Sequence, residues 1–191
     1  MKAKRPVAED RPARQRLFFG LWPDAATRRR IAAVSGQLAD LRGRPVADAN
    51  LHLTLVFMGM LDADQRDCAM AVAEMISLPP FSLSFGHLGC WPRPRVAWLA
   101  PEATPAALAD LVGCLQQGLK TCGLAPETRP YQPHITLRRK FSGALPELGI
   151  GPFHWSVKGF CLLESVSGAG GVSYRPLRHW ELTAPGDRNG G

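Results

Sequence analysis

No Cys-x-x-Cys pair occurs among the five cysteines of this 191-residue chain. Their positions, 68, 90, 114, 122 and 161, lack the close spacing of zinc ribbons and thioredoxin-type redox motifs. The count is odd and residues 1–15 hold no apolar leader, which together predict reduced, mostly buried thiols and a cytoplasmic location. No stretch approaches the roughly 20 uninterrupted apolar residues of a membrane-spanning helix, so no membrane association is expected. The 19 glycines and 17 prolines fall without period, which excludes collagen-like order. A Gly-x-x-x-x-Gly-Lys phosphate loop is missing too, so no ATP site is visible. Acidic residues are the scarcer charge, with 16 Asp and Glu against 23 Lys and Arg, for a net +7.

With 46% hydrophobic and 20% charged residues, the chain can bury a real core and is not a disordered polymer. Its basic excess favours a polyanionic partner, of which a phosphate backbone is the commonest. Lys2, Lys4, Arg5, Arg11, Arg14 and Arg16 supply six positive charges before the first apolar run, against Glu9 and Asp10. The excess therefore sits either in a tail or on a basic face. Residues 1–15 read as a basic flexible tail, 184–191 as a second flexible tail, and 16–183 as one domain without a linker.

Periodicity places the elements. Strands are predicted at 17–22, 51–58, 81–85, 95–99, 134–138, 155–163 and 177–182. Helices are predicted at 24–41, with Asp24 as N-cap, at 62–77, and at 105–119 along Leu108, Leu111, Val112, Leu115 and Leu119. Hairpin-like strand pairs beside these helices favour an α+β fold with mainly antiparallel sheets and flanking helices.

One element recurs. Leu51-His52-Leu53-Thr54-Leu55 and Pro133-His134-Ile135-Thr136-Leu137 both contain His-x-Thr-Leu, 82 positions apart. On a strand, His and Thr of each copy face one way and the apolar residues the other. If the two strands meet at a groove, two imidazoles and two hydroxyls converge there. An imidazole titrates near pH 6.5, so one ring can be neutral while its partner is protonated. The pair can then take a proton from water and give one to a leaving alkoxide, as hydrolysis of a phosphodiester requires. Thr54 and Thr136 would hold the non-bridging oxygens. Zinc binding by the two His lacks partners, since His87, His154 and His179 stand singly. Neither metal nor cofactor is expected.

Two His-x-Thr-x motifs in a chain near this length resemble the 2H phosphoesterase superfamily, and within it the bacterial RNA 2',3'-cyclic phosphodiesterases, also called 2'-5' RNA ligases. Further agreement lies in Arg16-Leu17-Phe18-Phe19, in Asn50 before the first motif with Phe57 and Gly59 after it, and in Arg95-Val96-Ala97-Trp98-Leu99. Arg129-Pro130-Tyr131-Gln132 before the second motif, and Tyr174-Arg175-Pro176-Leu177 with Trp180, complete it. The resemblance implies a bilobal fold, two sheets related by a pseudo-two-fold axis around a central groove. It implies hydrolysis of RNA 2',3'-cyclic phosphate ends to 2'-phosphomonoesters, with reversible 2'-5' ligation as a second outcome. By the same resemblance His52 is the proton donor, His134 the acceptor, and Thr54 and Thr136 bind phosphate. The family's arginine, two residues past the motif Leu, matches Arg139, whereas strand parity puts Arg138 on the His134 face. Tyr131 either stacks a base or packs as a core aromatic. Arg129 either meets a backbone phosphate or is a solvated loop charge. Two rivals stay open at this level, a non-catalytic RNA-binding module and a phosphodiesterase acting on a small cyclic nucleotide or a 2'-5' oligonucleotide. RNA with a cyclic phosphate end is the expected partner, and no protein partner is evident.

Overall fold

The strands range from strict apolar–polar alternation, as in Phe153-His154-Trp155-Ser156-Val157, to continuous apolar runs, as in Leu17-Phe18-Phe19. The computed structural model describes residues 14–125, 127, 129–145, 149–169 and 171–184. Of the two expected tails, all but Arg14, Gln15 and Ala184 lie outside the described residues. The elements in order are β1 (Gln15–Leu21), α1 (Ala25–Gly36), β2 (Arg44–Pro45), a single-turn helix (Asp48–Asn50) and β3 (Leu53–Leu61). They continue with α2 (Ala63–Glu74), β4 (Phe81–Trp91), β5 (Val96–Pro101), α3 (Ala106–Leu119) and a second single turn (Lys120–Cys122). The chain ends with β6 (Ile135–Arg139), β7 (Phe153–Val157), β8 (Gly159–Gly168) and β9 (Gly171–Glu181). Asp24 caps α1, its carboxylate accepting the Thr27 N–H at 2.8 Å. Asp62 and Gln65 form a capping box at the start of α2. Two of the three expected helices stop earlier than their apolar patterns suggest, α1 at Gly36 and α2 at Glu74.

Every strand pair is antiparallel, in the order β7-β4-β5-β6-β3-β1-β8-β9, with β2 added on β6. The two expected sheets are thus one continuous sheet. At its centre β3 and β6 meet through a single registered pair, Leu53 with Ile135. Leaving β2 aside, four strands lie on each side of that seam, and α1 and α3 follow corresponding strands, β1 and β5. Leu53 and Ile135 occupy the same place in the two motifs, so the pseudo-two-fold axis runs through their pairing.

The helices cover one face of the sheet. Ile31 and Val34 of α1 and Leu111 and Leu115 of α3 share a buried cluster with Leu53, Leu55, Ile135 and Leu137. This core leaves the opposite face of the seam for the polar members of each motif.

The cysteines correct one expectation. Cys68 on α2 and Cys122 in the turn after α3 form a disulfide, their Cα atoms 5.7 Å apart. Packing of α2 against that turn brings together residues that sequence spacing separates. Of the free thiols, only Cys161 is buried, while Cys90 is half-buried and Cys114 exposed. No helix among the described residues is long and apolar enough to cross a membrane.

Candidate active site

His52 and His134 each stand one residue before a strand, β3 and β6 respectively. The alternation inferred from the motifs holds there. Leu53 and Ile135 are fully buried, while His52, Thr54, His134 and Thr136 all line one cavity of about 680 Å³. The antiparallel crossing at the seam is what makes the two motifs converge. Arg16, Arg44, Arg129 and Arg139 also line this cavity, and among the described residues no Asp or Glu does. Such a wall has a positive field suited to an anion.

Both rings are held in the same way. His52 Nδ1 lies 2.7 Å from the Asn50 carbonyl, and His134 Nδ1 lies 2.8 Å from the Gln132 carbonyl. A carbonyl can only accept, so each Nδ1 carries a hydrogen and each Nε2 is left to exchange the proton. His52 Nε2 is 3.2 Å from the Thr54 hydroxyl. Each ring also meets an aromatic edge. Tyr174 packs on His52, and Trp91 packs on His134, both at 4.6 Å between centroids. Phe18 at 5.0 Å and Trp22 at 6.4 Å complete the enclosure of His52.

This enclosure sets the protonation states. Burial pushes His52 down to about 4, against the opposing effect of its bond to the Asn50 carbonyl. The charges of Arg139, His134 and Arg28 push it the same way as burial. His134 is lowered as well, first by burial and further by Arg139. The free site therefore holds two neutral imidazoles at neutral pH.

A β-bulge in β6 decides between the two arginines. Ala97 pairs with Arg138 and Trp98 with Thr136, leaving Leu137 as an extra residue on β6. The bulge shifts the alternation by one. Arg138 consequently turns inward and is 5% exposed, its guanidinium donating to the Leu38 carbonyl at 2.8 Å and the Gly43 carbonyl at 3.0 Å. It braces the segment after α1, and the expectation that parity places it at the site is corrected. Arg139 reaches the cavity instead, with Nη2 donating to the Tyr174 hydroxyl at 3.2 Å. The first motif carries the same bulge, since Phe19 pairs with Val56 and Gly20 with Thr54, skipping Leu55. There the position matching Arg139 is Phe57, which lines the cavity with the Arg16 guanidinium 5.0 Å from its ring centre.

Tyr131 is not in the cavity wall. It packs on the core, and its hydroxyl donates to the Thr54 carbonyl at 3.0 Å. Burial pushes that hydroxyl's pKa upward, so it stays a donor. Of the two readings of Tyr131, packing prevails over base stacking, with an added strut from the second motif's loop to the first motif. Arg129 is exposed at the cavity edge and paired with Glu127. Sequence reasoning gave no specific role to Phe57, Tyr174 or Trp91. Phe57 was detectable by overlaying the two motifs at their common spacing, whereas Tyr174 and Trp91 reach the histidines only through strand pairing. Among the described residues, no group of three or more His, Cys, Asp or Glu is arranged to hold a metal ion.

Comparison with known proteins agrees with this geometry. The family profile of the 2'-5' RNA ligase superfamily matches residues 22–168. The RNA 2',3'-cyclic phosphodiesterase of Escherichia coli is 37% identical over 174 residues, which cover 88% of this chain and 97% of that protein. A Thermus thermophilus protein of the same name is 27% identical over 185 residues, covering 87% and 90%. The crystal structure of E. coli LigT complexed with 3'-AMP superposes with a TM-score of 0.83 at 35% identity, covering 89% of this chain and 99% of that one. Two His-x-Thr motifs meeting at the seam of an antiparallel sheet, together with these matches across most of its length, mean that the chain belongs to the 2'-5' RNA ligase superfamily.

Proposed function

We propose that this protein hydrolyses the 2',3'-cyclic phosphate end of RNA to a 2'-phosphomonoester, using His52 and His134 as an acid/base pair. The observation that carries the reading is the pair of imidazoles whose Nδ1–H groups are fixed on carbonyls while both rings line one arginine-rich cavity. His134 Nε2 takes a proton from water as the water oxygen attacks phosphorus. The bond from phosphorus to the 3'-oxygen breaks, and His52 Nε2–H delivers its proton to that oxygen. One water is consumed, and the products are a 2'-phosphate and a free 3'-hydroxyl.

His52 must take up a proton from solvent as substrate binds, because the free ring is neutral. A phosphate anion favours the charged ring and offsets the field of Arg139. Thr54 responds to the change. Beside a neutral Nε2 its hydroxyl donates to the ring, but beside Nε2–H its oxygen accepts, which frees the hydroxyl hydrogen for a phosphate oxygen. Thr136 offers the same donor from the other strand, and Arg139 compensates charge developing on phosphorus.

The test is product analysis by phosphorus NMR on an oligoribonucleotide with a 2',3'-cyclic phosphate end. A 2'-phosphate product is expected. A 3'-phosphate, or no turnover, refutes the proposal.

A further inference from the structure

Asn50 engages two parts of the site at once. Its backbone carbonyl accepts the Nδ1–H of His52 at 2.7 Å. Its side-chain amide donates to the Val172 carbonyl at 2.8 Å, and its side-chain oxygen accepts the Tyr174 N–H at 3.0 Å. Those two backbone groups belong to the far part of the β8–β9 hairpin. Among the described residues, β8 pairs with β1 over Cys161 to Glu164, and beyond that point the strand partner of residues 165–168 is β9. Ser165, Ser167, Val172 and Tyr174 from this overhang line the cavity. The amide of Asn50 therefore completes the ladder as a further strand would, with one donor and one acceptor, and ties the overhanging wall to the first motif.

We propose that Asn50 is a positioning residue that couples this wall to the orientation and protonation of the His52 ring. Two routes converge on the ring, the backbone bond to Nδ1 and the Tyr174 edge that the side-chain bonds hold in place. Only a side chain with a donor and an acceptor on one short stem satisfies both β9 groups. Aspartate offers acceptors alone and faces the Val172 carbonyl with a lone pair, and alanine offers nothing. The second motif lacks this device. Gln132 supplies the matching carbonyl to His134 at 2.8 Å, but its side chain is exposed and makes no hydrogen bond among the described residues. The asymmetry falls on the ring that has to acquire a proton when substrate arrives. Releasing the wall takes the Tyr174 edge off His52, admits water to the ring, and lets the ring leave the Asn50 carbonyl.

The consequence for rate rests on the reading of His52 as the acid, whereas the consequence for the ring does not. The experiment uses full-length Asn50→Ala and Asn50→Asp proteins, without ligand, and reads the His52 tautomer and pKa by nitrogen-15 NMR. It then reads kcat and KM on a 2',3'-cyclic mononucleotide. The parent ring should be held as the Nδ1–H tautomer with a depressed pKa. In Asn50→Ala both tautomers should appear, the pKa should move up toward the ordinary value, and kcat should fall by about 10²-fold with KM little changed, since displacements near 1 Å cost that much. Asn50→Asp keeps the bond to the Tyr174 N–H and should show the same change in smaller measure, which decides the matter if the alanine variant does not fold. A His52 tautomer and pKa equal to the parent's in the folded variants overturns the proposal, whatever the rate does. A released ring with an unaltered rate upholds the positioning and strikes only the acid role of His52.

Discussion

Lowering the pH from 7 to 4.5 should weaken the folded protein by about 2 kcal/mol through His52 alone. The ring titrates at about 4 when folded, because Phe18, Tyr174 and Trp22 surround it and Arg139 and Arg28 repel its charge. In the unfolded chain it returns to its ordinary value near 6.5. A folded pKa below the unfolded one means that the unfolded chain binds the extra proton. The contribution is therefore fully present above pH 6.5 and is lost as the pH falls toward 4. Each pKa unit is worth about 1.4 kcal/mol, and at pH 4.5 most of the gap of about 2.5 units has been traversed. Carboxylates titrate in the same range, so the assay is a comparison. Urea denaturation of the parent and of His52→Phe is measured at both pH values, and the loss in the variant is subtracted from that in the parent. The parent should lose about 2 kcal/mol more than the variant. Equal losses refute the reasoning and mean that the ring is solvated in the free protein.

Other perturbations separate bracing from chemistry. Tyr131→Phe removes the hydrogen bond to the Thr54 carbonyl and should cost about 1 kcal/mol in denaturation. Arg138→Met strands the Leu38 and Gly43 carbonyls and should cost about 3 kcal/mol in the same assay. Exposed Arg139→Ala should change stability by less than about 0.5 kcal/mol, yet lower turnover and raise the pKa of both histidines in NMR titration, because its charge depresses both. Turnover should persist in chelator, since imidazoles move the protons and hydroxyls hold the phosphate. Loss of activity in chelator, restored by added zinc, contradicts this.

Features confined to a few contiguous residues were legible in the sequence. Each His-x-Thr copy declares its two faces within five residues, and the stripe of Leu108, Leu111, Val112, Leu115 and Leu119 defines α3. The convergence of the copies was inferable because the repeat implies equivalent positions on two strands. What was hidden depends on pairing between distant segments. Nothing in Thr136-Leu137-Arg138-Arg139 announces that Leu137 bulges, and that bulge exchanges the two arginines. The apolar pattern marks the last strand only over 177–182, yet β9 begins at Gly171. Its first residues form a largely exposed wall, so they carry no apolar alternation to detect. The Cys68–Cys122 disulfide spans 54 positions and follows from helix packing that spacing cannot reveal.

The central claim is that the two histidines act in one step on one phosphate. A double-mutant cycle on kcat/KM, with a 2',3'-cyclic phosphate-ended oligoribonucleotide, tests it most directly. His52→Ala and His134→Ala should each reduce kcat/KM by about 10²–10⁴-fold. Their combination should lose far less than the product of the two, because removing either partner already disables the shared step. A single variant near the parent rate, or a double variant whose loss equals the product, contradicts the account.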